Sequence, residues 1–351
     1  MAGEHAAMKY LPALALALIP LCTQAADAPA DDRTALEALP GGTSVLLQRG
    51  GRVIVELYAR GADAATLHDT RSAGKSVTAM LVAAAVQDGL LQRDTPVFAA
   101  FADQRPIAND GPAKQAITVE DLLTMSSALD CDDNQDASPG NEEAMYPQPR
   151  WLRWAVDLPT RDIQRDAQGR GPWAYCTGGT VLLGQLLQRR VPGGLEAWAQ
   201  TRLFAPLGIT RLQWHHSPTG ETMTGGGLRL RTRDWATLAQ TLLNGGPPVL
   251  APAQVASLLT VHRQTPYGVD YGELFWRRDY ALRCGRFSGW MMSGNGGNHI
   301  VMLPALDAVV ALTRTHYNQR NMHQESWAFT EALLERHVCD SPALPKAASA
   351  G

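Results

Sequence analysis

Thr70 to Leu81 reads TRSAGKSVTAML, and two catalytic spellings overlap within it. From Gly74 the residues run Gly-Lys-Ser, the tail of a loop whose backbone N–H groups and lysine cradle phosphoryl oxygens. From Ser72 they run Ser-x-x-Lys, a hydroxyl nucleophile with an amine one helical turn later on the same face. The two spellings call for unrelated chemistry.

The phosphate loop needs a glycine at position 69, where this chain has Asp69. A carboxylate there stiffens the turn and puts negative charge where phosphate would sit, and the preceding GADAATLHD is no buried parallel strand. Ser-x-x-Lys keeps its weight. Lysine occurs only at positions 9, 75, 114 and 346, while arginine supplies the remaining cations. Lysine can give up a proton when desolvated and arginine cannot, and Lys75 heads an apolar stretch. A serine hydroxyl is a poor nucleophile at neutral pH and needs such a base. The start of a helix adds N–H groups that favour developing negative charge at Ser72.

These residues need a frame. TSVLLQ (43–48) and RVIVELYA (52–59) read as a hairpin around Arg49-Gly50-Gly51, and HIVMLP (299–304) with AVVALTR (308–314) read as a second. Helical patterns fill the middle: KSVTAMLVAAAVQDGLL, TVEDLLTMSSAL, GTVLLGQLLQRRV and LEAWAQTRLFAPLG. HQESWAFTEALLERHV (323–338) supplies a last helix to pack on a sheet. The expected class is α/β (α+β): one antiparallel sheet built from both chain ends, flanked by helices, with a mostly helical inserted lobe. The α/β lobe takes about 40–88 and 225–340 and the helical lobe about 89–224, a crevice between them being the natural ligand site.

The chain ends read differently. Met8 and Lys9 precede an apolar run from Leu11 to Leu21 and a small-residue site at Thr23-Gln24-Ala25, so residues 1–25 read as a secretory signal peptide. The domain proper is then 26–340, with 341–351 a disordered tail and a periplasmic or secreted destination. Cys22 follows Leu21 rather than a small residue, which disfavours a lipoprotein. No stretch reaches the roughly 20 apolar residues of a stable membrane span. A formal net charge of −3 makes no case for nucleic acid. The mature chain keeps Cys131, Cys176, Cys284 and Cys339, an even set that suits an oxidising compartment and allows three pairings.

Five blocks in order, RSAGKSVTAMLVAAAVQDGLL, TVEDLLTMSSALD, GPWAYCTGGTVLLGQLL, GGGLRLRTRDWATLAQTLLNGG and SGNGGNHIVMLPALDAVVALTRT, resemble the β-lactamase-related serine hydrolases. The similarity is to the class C-like branch, which holds penicillin-recognising enzymes, esterases, D-amino-acid peptidases and 6-aminohexanoate-dimer hydrolase, and it runs from Thr43 to Val338. The resemblance implies a β-lactamase/transpeptidase-like fold and no cofactor or metal. It makes Ser72 the acylated nucleophile, Lys75 its proton partner, and Tyr175 the residue that shuttles the proton to the leaving group. It places the oxyanion hole at the backbone N–H groups of Ser72 and Asn295, with Gly294, Gly296 and Thr177 in the substrate-binding segments. It also implies a Cys131–Cys176 bridge beside the tyrosine, leaving Cys284 and Cys339 as the other pair.

Two departures narrow the substrate. Thr177 stands where relatives often carry an asparagine that orients the lysine, and a hydroxyl can do only part of that bonding. The Lys-Thr-Gly that binds a carboxylate in penicillin-recognising members is missing, since no lysine lies between Lys114 and Lys346; Arg286 would replace it only by folding toward the site. The expected function is an exported serine hydrolase of a small ester or amide, with β-lactams disfavoured. The alternatives are a D-amino-acid or cell-wall carboxypeptidase and a non-catalytic peptide binder.

Other signals weigh less. Asp132, Asn134, Asp136 and Glu143 fall at calcium-loop positions, but Ala137 replaces the obligatory glycine and Pro139 lies inside, so a polar loop rimming the cleft is the better reading. His215 and His216 lack a third ligand at metal spacing and read as a surface turn. His299 reads as a strand residue, and no G-x-S-x-G elbow is present. Trp151, Trp154, Trp173, Trp276 and Trp290 divide between core and an apolar pocket wall.

Overall fold

The β-branched and apolar runs at the two chain ends do meet in one sheet. The structure, a computed structural model, describes residues 30–339, so the expected signal peptide and tail lie outside the described residues. The strands are β1 (Gly42–Arg49), β2 (Arg52–Tyr58), β3 (His68–Asp69), β4 (Gln213–Trp214), β5 (Leu228–Leu230), β6 (Arg263–Gln264), β7 (Asp270–Tyr271), β8 (Trp276–Leu282), β9 (Gly285–Gly294), β10 (Asn298–Leu303) and β11 (Ala308–Arg314). Eight of them form an antiparallel sheet ordered β2-β1-β11-β10-β9-β8-β7-β6.

The centre of this sheet is buried on both faces, because alternate side chains enter separate cores. Leu46, Ile300, Met302, Val309 and Ala311 pack toward the Gly74–Gln87 and Thr232–Leu243 helices. Val45, Leu47, Val301, Val310 and Leu312 pack toward Leu36 of the Ala30–Ala38 helix and toward Phe329, Leu333 and Leu334 of the C-terminal Met322–Leu334 helix. The expected packing of the last helix on a sheet is therefore found. Among the described residues no helix is long and apolar enough to cross a membrane.

The Gly74–Gln87 helix is buried from Gly74 through Ala85, as an all-round apolar sequence requires. It packs on the Thr177–Arg190 helix, which is itself buried from Thr177 to Leu187. A second small sheet, β3-β5-β4, pairs Asp69 with Arg229 and so ties the residues before Ser72 to the 225–230 segment.

Two expected helices are shorter than their patterns. Only Val119–Leu123 of the TVEDLLTMSSAL stretch is α-helical; Met125 and Ala128 adopt left-handed backbone, with φ of 54° and 65°. The carbonyls of Met125 and Ser126 accept instead from the N–H groups of Ala174 and Gly171, so the chain leaves the helix to hold the tyrosine segment. The LEAWAQTRLFAPLG stretch is α-helical over Leu195–Ala199 and then loosens and retightens before Pro206 and Gly208.

Candidate active site

Arg71–Ala73 forms a tight 3-10 turn that runs directly into the Gly74–Gln87 helix, so Ser72 sits at a buried helix's head. Arg71 holds left-handed backbone, φ 52°, with its N–H on Asp69 Oδ1 at 3.1 Å and its guanidinium 4.5 Å from the Tyr317 ring centre. Opposite lies the end of β9. A Cβ on Gly294 would fall 1.9 Å from the Thr70 carbonyl and 3.0 Å from the Ser72 nitrogen, so only glycine lets this strand end approach the serine turn.

Lys75 Nζ donates to Ser72 Oγ at 2.9 Å and to the Gly225 carbonyl at 2.6 Å. The ammonium lies 4.8 Å from the Tyr175 ring centre, and the tyrosine hydroxyl is within hydrogen-bonding reach of Ser72 and Lys75. Burial alone would pull the Lys75 pKa down, but Tyr175, Glu142 and Asp133 outweigh it and the net shift is upward. This reverses the expectation of a lysine stripped of its proton by an apolar helix: the resting group is an ammonium. Burial raises the Tyr175 pKa, against the pull of Lys75 and the Ser72 hydrogen bond, so the phenol is protonated at rest.

Thr177 is placed differently from its expected role. Its N–H and Oγ1 lie 2.8 and 2.7 Å from Asp133 Oδ2, and Oγ1 also lies 3.0 Å from Glu142 Oε2. It bonds a carboxylate pair and not the lysine. The Asp133 N–H donates to the Tyr175 carbonyl at 2.8 Å, and Cys131 is bonded to Cys176. Cys284 is bonded to Cys339, so both expected bridges are present.

The cleft over Ser72 has a volume of about 370 Å³ and is lined by Arg71, Glu142, Tyr146, Arg229, Asn295 and Tyr317, among others. Asn295 leaves β9 at the rim, where its side chain donates to Asn318 Oδ1 at 2.6 Å and accepts from Asn318 N–H at 2.8 Å. Gly296 instead turns behind the rim, where a Cβ would meet the Tyr317 ring at 2.8 Å. Arg286 does not fold toward the site. It lies at the opposite end of β9, largely exposed, with Asp279 3.8 Å away. Ten extended residues at about 3.4 Å each separate the two ends of that strand. Arg71 and Arg229 are the cleft's cations, both leaning on Asp69.

Several of these residues escaped the sequence reading. Asp132, a calcium-loop position, spends its carboxylate on Asn134 and Gln135 of its own turn, while its unremarked neighbour Asp133 faces the site. Among the described residues no group of three or more metal-ligating side chains is assembled. His215, expected on a surface turn, lines the cleft against Trp151. Trp173 and Trp276 pack against the Tyr175 ring at 6.1 and 5.7 Å, walling its apolar side, and Trp290 is core. The missing asparagine at position 177 was the available signal, since a buried lysine beside a short hydroxyl needs some other polar partner.

Residues 33–330 match the Beta-lactamase family over most of the chain. The chain belongs to that family. It is 24% identical over 208 residues to the 6-aminohexanoate-dimer hydrolase of Paenarthrobacter ureafaciens, a match covering 57% of this chain and 52% of that protein, so it spans about half the relative's length. The fold is that of a penicillin binding protein from Bacillus halodurans, with a TM-score of 0.67 at 18% identity over 86% of this chain and 99% of that one. It is likewise that of a D-stereospecific amidohydrolase from Streptomyces sp., with a TM-score of 0.65 at 17% identity over 86% and 98%.

Proposed function

We propose that the protein is an exported serine hydrolase that cleaves a small ester or amide through an acyl-enzyme on Ser72. The observation that carries the reading is the contact of a buried Lys75 ammonium with the Ser72 hydroxyl, beside a half-buried Tyr175. The reacting form is the Tyr175 phenolate, reached when the phenol gives its proton to solvent and held by the adjacent ammonium; Ser72 Oγ then attacks the carbonyl carbon as its proton passes to that oxygen. Tyr175 then returns that proton to the leaving alcohol or amine. The tetrahedral oxygen is held by the N–H groups of Ser72 and Asn295, at the closest approach of β9 to the serine turn. Water enters by the same route in reverse and frees the acid.

An amide or ester is favoured over a β-lactam because the cleft carries no lysine on β9, and its arginines are already engaged with Asp69. The curated relative hydrolyses an amide dimer by name, which supports the amide side. Two disulfides suit an oxidising compartment outside the cytoplasm. A fluorophosphonate probe should label the parent protein at Ser72 and leave Ser72→Ala unlabelled. A panel of p-nitrophenyl esters, amino-acid amides, linear amide dimers, a D-Ala-D-Ala peptide and a chromogenic β-lactam should show turnover on the esters or amides; equal labelling of Ser72→Ala removes the reading.

A further inference from the structure

One contact behind the reacting groups contains a hydrogen that a count of donors does not supply. The Thr177 hydroxyl has a single hydrogen, yet its oxygen lies 2.7 Å from Asp133 Oδ2 and 3.0 Å from Glu142 Oε2. If both carboxyls were ionised, that one hydrogen would have to be split between two negative oxygens, leaving at least one contact a weak share of a three-centre bond. Both become hydrogen bonds when one carboxyl is protonated and donates to the threonine oxygen, which in turn donates to the other. The backbone reinforces the arrangement: Asp133 accepts the Thr177 N–H at 2.8 Å and the Glu142 N–H at 3.0 Å.

We propose that Asp133, Thr177 and Glu142 hold one shared proton behind Lys75 and Tyr175, and that its loss sets the protonation of those two groups. Asp133 and Glu142 are positioning residues: they act through the lysine and tyrosine. The inference rests on the reading of Ser72, Lys75 and Tyr175 as the reacting groups.

The charge balance supports it. With one proton on the pair, the ammonium of Lys75 faces a single negative charge and the cluster is neutral. Without it, two carboxylates face one ammonium. Burial pushes the Asp133 carboxyl up to about 7, Lys75 pulls against that, and the charge of Glu142 adds to it. Lys75 faces them from the buried helix and Tyr175 from the segment before Thr177, while Tyr146 faces them from their own loop, with Glu143 and Arg71 beyond it. Loss of the shared proton leaves more negative charge beside Lys75 and Tyr175. The ammonium is then held more firmly and phenolate formation is opposed, so Ser72 is deprived of its proton acceptor, Tyr175, as pH rises.

The test has two independent readouts. In infrared difference spectra of Ser72→Ala, a protonated-carboxyl band should persist at pH 6 and vanish as pH rises through about 7, and it should be absent at pH 6 when Asp133→Asn or Glu142→Gln is added. In the enzyme with intact Ser72, the profile of kcat/KM against pH should bend downward near that same pH, and each of the two amide variants should lose the bend. A purely structural role predicts a uniform drop at all pH values instead. Absence of the band in Ser72→Ala, or survival of the bend in both variants, overturns the proposal. A band that behaves as expected alongside undiminished turnover by Ser72→Ala would instead remove the functional reading and leave the shared proton in place.

Discussion

Lys75 reaches the carbonyl of Gly225 at 2.6 Å only because Gly225 has no side chain. A Cβ at that position would lie 2.5 Å from Thr177 Cγ2 and 3.0 Å from Thr180 Oγ1. The space a side chain at 225 would need is therefore already filled by the methyl of the threonine that bridges the acid pair.

Gly225→Ala should accordingly push the 225–227 segment outward and lengthen the lysine contact. Overpacking of this kind costs about 1–3 kcal/mol of stability. Turnover should fall by more than that loss explains, on the order of 10²-fold, because a displaced Lys75 ammonium no longer steadies the tyrosine anion that takes the serine proton and so forfeits part of a general-base effect worth about 10²–10⁴. Steady-state kinetics at a temperature where the variant is fully folded checks this; unchanged kcat would mean that the carbonyl does not position Lys75.

The disulfides should separate by function. Cys131–Cys176 flanks Asp133 and Tyr175, whereas Cys284–Cys339 ties the β8–β9 turn to the end of the C-terminal helix, away from the cleft. Replacing either pair by serine should lower the melting temperature, as losing such a bridge costs about 2–5 kcal/mol. Only the Cys131 and Cys176 double variant should also lose kcat at a temperature where both proteins are folded. Equal kcat in the two double variants would show that the first bridge does not hold the tyrosine.

The parts legible in the sequence were those with a local period. The β1–β2 and β10–β11 hairpins follow from contiguous apolar runs, and the Gly74–Gln87 helix from an unbroken apolar stretch. The β8–β9 hairpin was missed because WRRDYALRCGRFSG is rich in arginine, and its exposed half hides the pattern. Ser72, Lys75 and Tyr175 were found because their types carry the chemistry themselves. Asp133 and Glu142 were not, because what matters is their distance to Thr177, some 35 to 44 residues away in sequence. No spacing rule encodes such a contact.

Acid should destabilise the protein through histidines that the fold keeps neutral. Burial lowers the pKa of His323 and of His68 from 6.5 to about 4, and that of His299 well below 6.5. Facing cations add to the effect: Arg314 at His323, and Arg278 with Arg314 at His299, while Asp63 opposes it at His68. Above about pH 6.5 the folded and unfolded states are both neutral at these rings and nothing is lost. Between about 6.5 and 4 the unfolded chain binds protons that the folded one refuses, so stability falls as pH falls. The drop in melting temperature between pH 7 and pH 5 should shrink in His323→Gln, whose ring stacks on His299. An undiminished drop would assign the acid lability elsewhere.

Gly294→Ala offers the sharpest test of the oxyanion geometry. The added methyl would sit 1.9 Å from the Thr70 carbonyl, so β9 must withdraw from the serine turn, and Asn295 moves with it. Withdrawal leaves Ser72 and Lys75 on the continuous 3-10 turn and helix with their 2.9 Å contact intact, but separates the N–H groups proposed to share one oxygen. Loss of one such donor costs about 10²–10³ in turnover. Labelling by a fluorophosphonate should therefore slow by at least about 10²-fold, while the hydrogen bond between Lys75 and Ser72, read from the pH dependence of the residual rate, stays as in the parent. A variant that labels at the parental rate would place the oxyanion donor away from the end of β9.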